Sequence, residues 1–135
     1  MIAKSADIGR LVVVRMNADE DLLESLRAAV QQANLRNGMI LSGAGSLKRY
    51  RVHVVKTTAL PPGDVVFEGE GPFDILTLTG AVLDGRVHAH LTFSNTEKAM
   101  GGHVHEGCVI LTFGIAVLAE MPDVDLTDWD RMGRL

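Results

Sequence analysis

Residues 73–94 read FDILTLTGAVLDGRVHAHLTFS, and the Asp84-Gly85 pair near their centre decides the fold. An Asp-Gly dipeptide between two runs of Val, Leu and Thr marks a two-residue hairpin turn, because both residues tolerate the positive φ that such a turn requires. Phe73 to Leu83 and Arg86 to Ser94 are therefore expected to pair antiparallel. With Asp84 and Gly85 at the turn, Leu83 falls opposite Arg86, Ala81 opposite His88 and Thr79 opposite His90. Farther from the turn, Leu78 and Leu76 fall opposite Leu91 and Phe93. Val87, Ala89, Leu91 and Phe93 share one face, which must be the buried one. His88 and His90 share the other. Each histidine faces a small side chain across the ladder, which leaves room for an ion or a ligand.

Toward the N-terminus, Arg10 to Met16 is a Val-rich strand. Asn17-Ala18-Asp19-Glu20 supplies a capping residue and acidic first-turn residues for a helix. Leu22, Leu23, Leu26, Ala29, Val30 and Ala33 recur at helical spacing, and Arg36, Asn37 and Gly38 supply a charge and a stop. This is the one long helix, and one apolar stripe makes it a cover for a sheet. Met39 to Leu47 and Tyr50 to Thr58 read as strands. Leu60 to Asp64 is a turn-rich loop and Gly69 to Pro72 a glycine-rich joint. The Gly43-x-Gly45 pair fits a bend or close packing within a strand.

Toward the C-terminus, Gly101-Gly102-His103 follows a return from Ser94 through Lys98 that would set His103 beside His90. Three neutral imidazoles converging in this way suit zinc, with a fourth position left for water or a ligand. The same spacing also fits the polar face of a half-exposed strand. Thr79, Ala81, His105 and Glu106 are the other candidate members of the pocket. Glu106 reads either as a proton shuttle or as a surface carboxylate. Gly107 to Glu120 is a last strand with little alternation, so both of its faces need cover from the helix or from another subunit. The segment 122–135, with four aspartates around Trp129, reads as a tail on a single domain spanning 1–135.

Composition limits the function. The formal charge is −4, with no global attraction to a phosphate backbone, and the one basic run is Lys48-Arg49-Tyr50-Arg51. One cysteine, Cys108, forms no intrachain disulfide and reads as a buried thiol of a reducing compartment. The run from Cys108 to Ala119 is too short to cross a bilayer, and no targeting signal is evident. A soluble, cytoplasmic protein is expected.

At these residues the chain resembles the Plants and Prokaryotes Conserved (PPC) family. The matching pieces are Ser42 to Leu47, Gly71 to Gly80, His88 to Leu91 and Gly101 to Val109. The resemblance implies an α/β (α+β) fold, a mostly antiparallel twisted sheet packed against the helix, assembled as a homotrimer. It implies a divalent metal, most simply zinc, on His88, His90 and His103, the three histidines that free-standing prokaryotic members often keep. His105 matches no family ligand. The family's DNA-binding label follows plant members that join the domain to AT-hook segments. This chain has no Arg-Gly-Arg-Pro hook, so DNA contact is expected to be weak or indirect at most. Three functions remain open: a metal-dependent enzyme or small-molecule binder, a DNA-associated interaction module, and a purely structural metal site that knits subunits together.

Overall fold

The computed structural model describes residues 1–134, so the last residue of the expected tail, Leu135, lies outside the described residues. It is an α+β fold of six strands and one helix. The elements are β1 (Leu11–Asn17), α1 (Leu22–Gln32), β2 (Gly38–Val55), β3 (Asp64–Leu83), β4 (Arg86–Ser94), β5 (Ala99–Val104) and β6 (Val109–Glu120). All pairings are antiparallel in the order β1-β6-β2-β3-β4-β5, and the far end of β2 also pairs with β5. That last contact curls the sheet shut at one end.

Helix α1 begins at Asp21, not within residues 17–20. The Asp21 carboxylate accepts from the Glu24 N–H at 3.1 Å and from the Gly107 N–H at 2.6 Å. Residues 17–20 instead close a turn in which Glu20 accepts from the Asn17 backbone. The helix ends at Gln32, one turn short of Arg36, and Gly38 already belongs to β2. Leu22, Leu23, Leu26 and Val30 are buried against the sheet. Removing each such side chain from water contributes about 1.5–3 kcal/mol.

The hairpin register around Asp84-Gly85 matches the reading from sequence at Leu83–Arg86, Ala81–His88, Thr79–His90 and Leu78–Leu91. Beyond that point a bulge intervenes: Ile75, not Leu76, lies opposite Phe93, and Leu76 is exposed. The extra residue turns Ile75 into the core beside Phe73 and Phe93, where three aromatic rings including Tyr50 pack edge to face or tilted. The expected break between Leu47 and Tyr50 is likewise a bulge inside one long strand. Gly69 to Pro72 is no joint either, since β3 runs through it. Gly69 pairs with Tyr50, and a Cβ there would lie 2.8 Å from the Tyr50 hydroxyl, so a side chain would expel the ring.

The sheet has two unlike faces. Ala89, Leu91, Phe93, Val82, Ile40, Leu118 and Met16 point toward α1 and form the core. The opposite face carries a row read across the ladders: Leu11, Ala119, Met39, Ala81 and His88. Large apolar residues are exposed on and around it, among them Leu11, Val13, Met39, Leu41, Phe113 and Ile115. Residues 123–134 form neither helix nor strand, yet Val124 and Leu126 are buried against Leu83. Among the described residues no helix is long and apolar enough to cross a membrane.

Candidate metal centre

Three ladders bring the histidines together. Thr79 on β3 pairs with His90 on β4, His90 pairs with His103 on β5, and His103 pairs with His53 on β2. Partners in a ladder share a face, so these side chains form one line across four strands. His88 lies two residues before His90 and joins it, with the two rings stacked 5.3 Å apart. The β4–β5 turn that returns His103 is closed by Asn95, whose side chain accepts from the Glu97 and Lys98 N–H groups. Gly101 and Gly102 make the return possible. A Cβ on either would collide with the carbonyl of a flanking strand, Leu91 for Gly101 and His53 for Gly102.

One nitrogen from each of His88, His90 and His103 lies within 4.8 Å of the others. Tetrahedral ligation at zinc-like distances sets donors about 3.3 Å apart, so small rotations of the rings suffice. All three donors are imidazole nitrogens, a set that suits zinc-class ions. His103 is half-buried at the centre of the group. Burial first, and then the neighbouring His88, His53, His90 and His105, push its pKa down to about 4. His90 is lowered for the same leading reason, although its outer edge remains open to solvent. Both rings are therefore neutral near pH 7 and carry free lone pairs.

The expected pocket members divide. Thr79 and Ala81 line a cleft of about 680 Å³ that opens beside His88 and His90. The rest of its lining is mostly apolar, with Met39, Leu83, Val124, Leu126 and Trp129, and includes the charged Lys4 and Asp130. His105 lies not in this cleft but on the far side of His103, against His53: its Nε2 is 2.6 Å from His53 Nδ1. Glu106 turns away and pairs with Arg27 on α1, which lowers its pKa, so it reads as a surface carboxylate. Cys108 is buried, exchanges hydrogen bonds with the Arg51 backbone, and has its pKa pushed up to about 11 by burial, which excludes an activated thiol.

Three residues of the site were missed from sequence. His53 reaches it only because β2 pairs with β5, a closure that no local pattern announces. Asp64 stands 3.5 Å from His53 Nε2, and Asp130 stands 3.5 Å from His88 Nδ1 while also receiving two bonds from Arg86. A carboxylate behind an imidazole holds the proton on the near nitrogen and leaves the other nitrogen free to bind. The basic run contributes little free charge, because Lys48 pairs with Asp19 and Arg51 approaches Glu68 at 3.6 Å.

The likeness to known proteins covers nearly the whole chain. A curated relative, the bifunctional protein GlmU of Synechococcus sp. (strain JA-2-3B'a(2-13)), is 30% identical over 115 residues, which is 84% of this chain. The chain spans only 17% of that protein's length. A plant- and prokaryote-conserved (PPC) protein from Pyrococcus horikoshii superposes with a TM-score of 0.77 at 25% identity, over 93% of this chain and 87% of that one. The metal-containing protein AF0104 from Archaeoglobus fulgidus gives a TM-score of 0.77 at 19% identity, over 90% and 86%. The family profile described as the Plants and Prokaryotes Conserved (PCC) domain matches residues 3–122, and the chain belongs to that family.

Proposed function

We propose that the protein binds one divalent ion of the zinc class through His88, His90 and His103, and presents it to a small molecule entering along the apolar cleft. The observation that carries this reading is the convergence of three imidazole nitrogens within 4.8 Å, two of them on histidines that line that cleft. The metal-containing nature of the similarly folded Archaeoglobus protein supports it. An ion held there by His88, His90 and His103 would supply Lewis-acid chemistry to an oxygen of the ligand. The chain's own residues do the rest. Asp130 orients His88, Thr79 and Ala81 are small enough to leave room before the histidines, and Trp129 and Leu126 exclude water from one wall of the cleft.

We read the protein as an assembly of identical chains, a trimer by analogy with the family. Supporting this, the sheet face opposite α1 exposes Leu11, Val13, Met39, Phe113 and Ile115, an apolar surface that a monomer would leave wet. The same face carries His88 and His90, so a neighbouring chain would border the centre. DNA association is weak, because the net charge is negative and two of the three cations in the basic run already face carboxylates.

Elemental analysis of the purified protein beside its His90→Ala variant tests the metal. About one tightly held ion per chain is expected to survive purification in the parent and almost none in the variant. Stoichiometric metal surviving the loss of His90 would place the ion elsewhere.

A further inference from the structure

We propose that His53 and His105, backed by Asp64, hold a second cation of the zinc class beside the three-histidine centre. All five histidines of the chain meet on one patch, and three of them account for the first centre. The remaining two are not scattered around it. They face each other, with His53 Nδ1 and His105 Nε2 2.6 Å apart, nearer than two ligands of one ion need to be. One of these two nitrogens carries the proton of the hydrogen bond, so an ion enters between them as the rings open slightly and that proton leaves or moves to the outer nitrogen of its ring.

Three further observations point the same way. Asp64 Oδ1 lies 3.5 Å from His53 Nε2, a carboxylate beside the nitrogen that does not face His105, which is the placement that suits Nδ1 as the donor atom. His105 is fixed by its backbone, since its N–H donates to the Arg51 carbonyl at 3.0 Å and Gly107 is anchored on Asp21. His105 is also within reach of solvent, since it borders an opening of about 350 Å³ that it shares with His103 and Arg51. With two imidazoles and waters for ligands, this position binds more weakly than the first. His103 stands between the two, 4.7 Å from the His53 ring and 4.6 Å from the His88 ring. The two ions would therefore be near neighbours.

Metal titration of the chelator-stripped protein with Zn²⁺, and in parallel with Co²⁺ followed by its ligand-field absorption, tests this. The parent chain should take up about two equivalents, the second at least about tenfold more weakly than the first. His53→Asn and His105→Asn should each abolish the weaker step and keep the tight one, and Asp64→Asn should weaken the second step about tenfold. Retention of the tight step certifies that each variant is folded. His90→Ala should do the opposite and remove the tight step, so the two centres fail separately. A single equivalent in the parent, lost only with His90, would leave His53 and His105 as a hydrogen-bonded pair and overturn the proposal. Two equivalents that both survive the double variant at His53 and His105 would overturn it as well.

Discussion

Asp130 Oδ2 lies 3.5 Å from His88 Nδ1, and the same carboxylate receives the Arg86 guanidinium at 3.0 and 3.2 Å. A residue from beyond the last strand thus reaches back across the β3–β4 hairpin and orients a histidine at the mouth of the cleft. Arg86 keeps the Asp130 pKa below the usual carboxylate range, so Asp130 is an anion near neutral pH. Asp130→Asn should weaken metal binding about tenfold, as loss of an orienting carboxylate does. Competition with a chromophoric chelator reads the change. Equal affinities would mean that the contact has no bearing on the ion.

The pH response of the metal-free protein follows from His103. Its pKa is about 4 when folded, against an ordinary 6.5. The unfolded chain therefore takes up the proton first. His103 favours the fold fully above about pH 6.5 and loses that contribution as pH falls toward 4. Urea midpoints should drop across that window, and His103→Asn should flatten the drop. Metal occupancy should fall below about pH 6 as protons compete for the imidazoles. Midpoints that fall equally steeply in parent and variant would remove His103 as the cause.

Assembly is tested on the apolar sheet face. The parent is expected to sediment as a trimer at micromolar concentration. Val13→Asp, at a side chain 69% exposed in the single chain, should shift it toward monomer while leaving the circular dichroism spectrum intact. A monodisperse monomer of the parent would refute the assembly.

Gly80 should resist substitution. It sits between Thr79 and Ala81 at φ +150°, and a Cβ there would overlap the His88 carbonyl. Gly80→Ala is expected to cost about 1–3 kcal/mol in denaturant unfolding and to weaken metal binding, since the strain falls on the ladder that carries His88. Unchanged stability would show that the two strands can separate without cost.

DNA binding should be weak, non-specific and lost between low and physiological salt. Arg49 is left with little company, because Lys48 and Arg51 face Asp19 and Glu68. Fluorescence anisotropy with duplexes of different sequence measures it. Tight, sequence-selective binding at physiological salt would restore the DNA-associated reading.

Local chemistry in the sequence was enough for the hairpin at Asp84-Gly85, the helical stripe from Leu22 to Val30 and the return of His103 through Gly101-Gly102. In each, a turn residue or a period of 2 or 3.6 determines which neighbours meet, over a few residues of chain. Sequence went wrong where spacing alone cannot count an extra residue. The bulge that puts Ile75 rather than Leu76 opposite Phe93 conserves composition and changes only register. Helix capping went to Asp21 because its carboxylate also ties down Gly107, a partner 86 positions away.

By itself, then, the sequence determined the antiparallel hairpin, the covering helix and the shared face of His88, His90 and His103, because these follow from alternation and turn chemistry along the chain. Only the tertiary structure decided that His53, Asp64 and Asp130 join them. Those three arrive through the closure of β2 on β5 and the return of the C-terminal segment. Such contacts are between residues far apart in sequence, and they are selected by packing across the whole sheet, so no short window of residues encodes them.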